Sequence, residues 1–180
     1  MKMTHTSSIL SIVLVGAMFF ASCSKTEKAN IRMDETATVT IPDTIDRYSV
    51  YTANSTTVTN SLDAKLSEAG YTAENVKEVR LEALELNLVK PTDETFKFCR
   101  SVSVYLVADG MTDTLIGSIS NPTRLESAPL FLFRQASDLK EYFTKPNFSY
   151  KAVFQMRQLY SEPIEVLIKP IYFVSVEKEK

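Results

Sequence analysis

Apolar and polar residues alternate with period two along most of the chain after residue 36, and that alternation predicts strands. Ala37-Thr38-Val39-Thr40-Ile41 is the first such run, ended by Pro42 and Asp43. Tyr48-Ser49-Val50-Tyr51 begins a second, Thr-rich strand running towards Val58. The period then changes. Leu62, Leu66 and Ala69 recur at helical spacing, behind Asn60 or Ser61 as a cap for the free amide donors. Gly70 stands where a left-handed C-terminal cap belongs. Thr72-Ala73-Glu74-Asn75 predicts a short turn feeding the next strand.

In that strand Val79, Leu81 and Ala83 share one parity, and Leu84, Leu86 and Leu88 share the other. Successive side chains point to opposite faces, so the slip in phase predicts a β-bulge near Ala83-Leu84. Pro91 closes the strand. Val102, Val104 and Leu106 alternate with Ser101, Ser103 and Tyr105, Asp109-Gly110 makes a turn, and Thr114-Leu115-Ile116 leads back to Ile119. Residues 100–119 therefore predict a hairpin, ended by Asn121-Pro122. A further strand is expected around Leu130-Phe131-Leu132-Phe133. Ser137 is placed to cap a short helix from Asp138 to Thr144, stopped before Pro146. Phe148, Tyr150, Ala152, Phe154 and Met156 alternate with polar residues, and Tyr160-Ser161-Glu162-Pro163 makes the next turn. Ile164, Val166, Ile168, Tyr172, Val174 and Val176 form the last strand. Leu167, Ile171 and Phe173 make its other face apolar in part, which predicts a central strand covered on both sides.

About eight short strands with turns between them, and two short connecting helices, argue a mainly β fold, a two-layer antiparallel sandwich. Closure into a small barrel is the alternative. A barrel asks for glycine or bulges at its corners, and only Gly70, Gly110 and Gly117 follow residue 22.

The N-terminus is built differently. Lys2 supplies a positive charge and an apolar stretch runs from Ile9 to Phe20, too short for a comfortable membrane span. Phe20-Ala21-Ser22-Cys23 resembles the lipobox of bacterial lipoproteins, with Phe20 where Leu is more usual. That resemblance implies removal of residues 1–22 and acyl chains on Cys23, more than one chain being needed for a firm anchor. Ser24, rather than Asp, resembles outer-membrane sorting. Ser24-Lys25-Thr26-Glu27-Lys28-Ala29-Asn30 is polar and reads as a flexible tether. The expected division is a signal over 1–22, a lipidated tether over 23–33 and a single sandwich domain over 34–178. Glu27 alone is less acidic than the surface-export signals of bacteroidete-type lipoproteins, which favours the periplasmic side.

Lys2 leaves with the signal, so 20 basic side chains become 19 against 22 acidic ones, a formal charge of −3. That balance disfavours nucleic-acid binding. With Cys23 lipidated, Cys99 is alone and is expected to be a buried, inert thiol. The single histidine, His5, also leaves. Without it there is no Ser-His-Asp arrangement, no Cys-His dyad and no ordinary zinc site, and no glycine-rich phosphate loop is present. Ser137-x-x-Lys140 has the spacing of a Ser-Lys nucleophile but lacks its companion elements; Ser137 as a helix cap explains it. Asp109, Gly110 and Asp113 are fewer oxygens than a calcium loop needs, and Glu82 and Glu85 read as the solvent face of an amphipathic strand. No catalytic residue, metal or cofactor is expected, and the protein reads as a non-enzyme.

The order of elements carries a wider resemblance. A lipobox precedes a Thr-rich strand pair. A capped helix from Ser61 to Ala69 leads into Lys77-Glu78-Val79-Arg80-Leu81-Glu82-Ala83-Leu84-Glu85-Leu86. Ser137-Asp138-Leu139-Lys140-Glu141-Tyr142-Phe143 precedes two long C-terminal strands. This is similar to small envelope lipoproteins of bacteroidete-type bacteria, whose immunoglobulin-like sandwich is like the late-embryogenesis-abundant type 2 domain. The resemblance implies a two-layer immunoglobulin-like antiparallel sandwich and an envelope address, and no catalytic residues. Asp43-Thr44-Ile45 and Asp113-Thr114-Leu115 also resemble the O-glycosylation acceptor of such bacteria, which would modify Thr44 and Thr114 and require both to be exposed. Aromatics crowd the C-terminal half, from Phe131 to Phe173; most are expected in the core, with a surplus for a cavity or a patch. The expected function is a non-catalytic binding or assembly module, anchored in the outer membrane by the lipid on Cys23, with an outer-membrane protein complex as partner. The alternative is a carrier of an apolar or glycan ligand in an inter-sheet or loop-end pocket.

Overall fold

The computed structural model describes residues 26–92, 94–122, 129–135, 138–158 and 161–179. In chain order the strands and the helix are β1 (Thr26–Asp34), β2 (Ala37–Ile41), β3 (Val50–Asn54), β4 (Val58–Thr59), α1 (Leu62–Glu68), β5 (Val76–Lys90), β6 (Cys99–Val107), β7 (Thr114–Ser120), β8 (Leu130–Phe131), β9 (Phe133–Arg134), β10 (Asn147–Met156) and β11 (Ile164–Glu179). Short 3-10 turns lie at Ala73–Asn75, Phe96–Phe98 and Tyr142–Thr144.

These strands make the predicted two-layer antiparallel sandwich. One sheet is centred on β11, with β5 and then β8 to one side and β1 and β2 sharing the other. The second sheet runs β3, β10, β6, β7, β9, with β4 also on β10. The core lies between them. Val39, Leu84, Leu86, Val166, Ile168 and Tyr172 of the first sheet and Val102, Val104, Leu106, Ala152 and Phe154 of the second are all buried. Each large apolar side chain so buried stabilises the fold by about 1.5–3 kcal/mol before entropy is counted.

Local chemistry accounts for most of these elements. Asn60 Oδ1 accepts the Leu62 amide at 2.9 Å and is the side-chain cap of α1. Ser61 does not cap; its hydroxyl donates to Glu35 at 2.6 Å. Gly70 ends the helix at φ +78, and Gly110 turns the β6–β7 hairpin at φ +71. The predicted bulge is present one residue early. Leu81 pairs with Tyr172 and Ala83 with Ile171, which leaves Glu82 extra, and Leu81 and Leu84 both reach the core. Pro170 stands inside β11 without an amide hydrogen. Its carbonyl accepts from Glu35 at 3.2 Å, between the ladders of β1 and β2, so the missing donor falls at their junction.

Four expectations are corrected. The tether over 23–33 is structured from Thr26 onward, because β1 pairs along its whole length with β11, from Thr26 opposite Glu179 to Asp34 opposite Ile171. Ala29, Ile31 and Met33 share one parity, Met33 is fully buried, and Lys28 pairs with Glu177 at 2.6 Å. The domain therefore includes residues 26–33. The second connecting helix, Asp138 to Thr144, is not α-helical. Its amides reach back three residues, from Tyr142 to Leu139 and from Phe143 to Lys140, in 3-10 fashion. The Asp138 carboxylate accepts from Lys140 N at 2.9 Å and Val79 N at 3.2 Å ahead of that turn; Ser137, the expected cap, lies outside the described residues.

Leu130 to Phe133 is not one strand. β8 pairs with β5 in the first sheet and β9 with β7 in the second, so the segment crosses between layers at buried Leu132. Gly117 permits the crossing: a Cβ there would meet Leu84 Cδ2 at 2.7 Å and Leu132 Cβ at 3.2 Å. Finally, β11 is central in its sheet but only its inner face is buried; Leu167, Ile171 and Phe173 are half-buried.

Candidate functional site

The residues singled out for chemistry do not converge. Cys23 and the signal over 1–22 lie outside the described residues. Cys99 is fully buried, and its Sγ donates to the Phe96 carbonyl at 3.5 Å. Burial pushes the thiol up to about 12, against a smaller downward pull from the Arg157 charge. Such a thiol is not a nucleophile at neutral pH. Lys140 of the Ser-Lys spacing donates to the Val76 carbonyl at 2.6 Å. Asp113 pairs with Lys151 across the hairpin end. Glu82 pairs with Arg134 at 3.3 Å and Glu85 with Lys169 at 3.8 Å, each carboxylate with its own cation. Among the described residues no three His, Cys, Asp or Glu side chains gather as a metal site.

The two threonines of the acceptor-like tripeptides differ. Thr44 is exposed in the turn between β2 and β3. Thr114 is half-buried, and its hydroxyl makes a short hydrogen bond with Tyr142 Oη, which also donates to the Thr112 carbonyl.

A cleft of about 480 Å³ opens beside α1. Its walls are the start of the helix, the 3-10 turn at Tyr142–Thr144 and the first residue of β5. Leu62, Val76, Phe143 and Pro146 make an apolar floor, and Asp63 and Lys145 stand at the lining as charges without an ion pair among the described residues. Asn60 holds the walls together. While its Oδ1 caps the helix, its Nδ2 donates to Phe143 O at 2.7 Å and Lys145 O at 2.9 Å. Leu139 N donates to Val79 O at 2.8 Å and its side chain is fully buried, which ties the turn to β5. The cleft suits an apolar group with polar edges. The described residues that line it include no serine, cysteine or histidine.

Behind the floor the aromatics pack solidly. Phe143 packs tilted against Phe148 at 5.1 Å and edge-on to Tyr172 at 4.8 Å, and Phe148 meets Tyr150 edge-on at 5.8 Å. The Tyr150 and Tyr172 hydroxyls hydrogen-bond at 3.0 Å and so join the two sheets inside the core. Burial pushes both hydroxyls well above their usual range. Most of the described aromatics of the C-terminal half therefore fill the core; Phe173 is half-buried on the outer face of β11, and two others are exposed. Phe131 is 55% exposed and Phe133 72% exposed, either side of buried Leu132 on the segment that crosses between sheets. The sequence alone does not mark them, because an apolar run reads as core until the crossing is known.

No protein-family model matches the chain, and no curated protein matches it in sequence. Among solved structures, that of Desmodium yellow mottle tymovirus is similar at 11% identity and a TM-score of 0.30, over 100% of this chain and 98% of that one. The structure of Cocksfoot mottle virus is similar at 9% identity and a TM-score of 0.27, over 96% of this chain and 94% of that one. Likenesses of this degree carry nothing about fold or function.

Proposed function

We propose that this protein is a lipid-anchored envelope protein, held in the outer membrane through Cys23 on the periplasmic side, that binds a protein partner and catalyses nothing. The anchor rests on the lipobox resemblance. The observation that carries the binding role is the pair Phe131 and Phe133, two large aromatic side chains left in water on a short segment. Full burial of such a side chain contributes about 1.5–3 kcal/mol, and a covering partner would recover the share, half or more, that these two leave in water. An outer-membrane protein complex is the proposed partner. The second reading, a carrier of an apolar or glycan ligand, is favoured by the cleft beside α1 with its apolar floor.

The test is cross-linking in intact envelopes, with Phe131→Ser/Phe133→Ser and Cys23→Ala beside the wild type. Cys23→Ala is expected to leave the membrane fraction. The double serine variant is expected to stay there yet lose the cross-linked partner. An unchanged cross-linking pattern in the double variant rules out this surface as the docking site. A small molecule that co-purifies with the wild type moves the assignment to the cleft.

A further inference from the structure

A different part of the molecule gathers unpaired positive charge. It lies at the end of the second sheet where β3 and β6 begin and β10 finishes. Ser49 O accepts the Met156 amide at 2.8 Å, Phe98 O accepts the Arg157 amide at 2.7 Å, and Arg100 O accepts the Asn121 amide at 2.6 Å. This row brings Arg47, Tyr48, Arg100, Arg157 and Asn121 together. The Tyr48 ring is faced by two guanidinium groups, Arg100 with its carbon 5.1 Å and Arg47 with its carbon 5.5 Å from the ring centre. Arg157 donates to Asn121 Oδ1 at 3.3 Å. None of the three arginines has an ion pair among the described residues, although acidic side chains outnumber basic ones in the chain as a whole.

The backbone here departs from regular geometry three times. Tyr48 has φ 63 and Asn121 has φ 54, the two non-glycine residues with positive φ among the described residues. For a tyrosine that conformation costs free energy and must be held by its surroundings. The third departure is a bulge. Gln155 pairs with Ser101 and Met156 with Cys99, so Arg100 is an extra residue turned outward between buried Cys99 and Val102. Two of these irregularities meet at the ring: Tyr48 carries one, and Arg100, which faces it, is the bulge residue. At these distances cation–π attraction holds the two guanidinium groups at the ring, and a guanidinium fork suits bidentate contact with a carboxylate.

We propose that Arg47, Tyr48, Arg100 and Arg157 form a recognition site for the carboxylates of an acidic protein segment. Apolar surface beside the charges favours a peptide: Tyr48 is 59% exposed and Val50 68% exposed, and tyrosine and arginine are both enriched among the hot spots of protein interfaces. The site is separate from Phe131 and Phe133, and it does not depend on a lipid at Cys23.

Fluorescence anisotropy of labelled poly-L-glutamate with the full chain in neutral detergent tests this. Binding is expected, weakening as salt rises. Arg47→Ala/Arg100→Ala is expected to weaken it by about tenfold or more, and Arg47→Lys/Arg100→Lys by less, because lysine keeps the charge without the fork. Arg32→Ala/Arg80→Ala removes the same charge from the other sheet and is expected to change binding by less than about twofold. Equal losses in the two alanine pairs would falsify the site, as would absence of binding. Polygalacturonate bound in preference to polyglutamate overturns the assignment to a protein segment.

Discussion

Three buried side chains set how this protein responds to alkali. The Cys99 thiol is pushed up to about 12 from its usual 9.0, chiefly by burial, and burial likewise raises the hydroxyls of Tyr150 and Tyr172. A group that ionises later in the folded chain than in the unfolded one gives its full stabilisation below its unfolded value. That stabilisation is lost as pH rises towards the folded value. The melting temperature is therefore expected to hold through neutral pH and to fall steadily from about pH 9 upward as the unfolded thiol ionises. Thermal unfolding followed by circular dichroism between pH 7 and 11 checks this; a flat profile to pH 11 contradicts it. In Cys99→Ala the fall is expected to start later, near the tyrosine range, whatever the substitution costs at neutral pH. That Cys99 is buried was legible from its apolar neighbours Phe96 and Phe98. That Tyr150 and Tyr172 touch was not, since one lies on β10 and the other on β11, in different sheets.

At the scale of elements, α1 is too short to persist alone, with seven residues and two buried side chains, Leu62 and Leu66. Asn60 joins it to the turn over the cleft, so Asn60→Ala is expected to remove a cap and two cross-links at once. A loss of about 2–3 kcal/mol in urea unfolding is the expected result. Asn60→Asp keeps the cap acceptor and loses both donors, and should fall between alanine and wild type. The cap was legible from Asn60 standing before a helical run, and Gly70 marked the other end. The bulge at Glu82 was legible because apolar parity slips between Leu81 and Leu84. The same slip between Cys99 and Val102 marks the bulge at Arg100 and was there to be read. The turn over 138–145 was not legible as 3-10, because its apolar spacing serves both helix types and contacts with β5 decide between them. The arginine site was hidden for a further reason: its residues lie far apart in the chain and meet only through strand pairing.

At the scale of the molecule, β1 closes the edge of β11. Its polar composition hid it, although Ala29, Ile31 and Met33 keep strand parity. Deleting residues 26–34 is expected to leave the rest of the sandwich with an open edge along β11, and open edges pair with other chains. Light scattering should then show larger oligomers or more aggregate than the intact chain gives. If 26–34 were a mere tether, deletion would change neither scattering nor melting temperature. The crossing at Leu132 protects the opposite side of the same sheet, because β8 and β9 are joined through one residue and belong to different layers.

The pairing of β1 also decides how the domain bears a mechanical load. Cys23 stands three positions before Thr26, so a pull from there is transmitted over a reach of at most about 10 Å. It arrives at the first residue of β1, which faces Glu179 near the C-terminal end of β11. Both chain ends thus stand at one end of an antiparallel ladder, so a load between them opens the nine residue pairs one at a time, from Thr26–Glu179 towards Asp34–Ile171. A tug between the two termini meets one rung of this sheet after another.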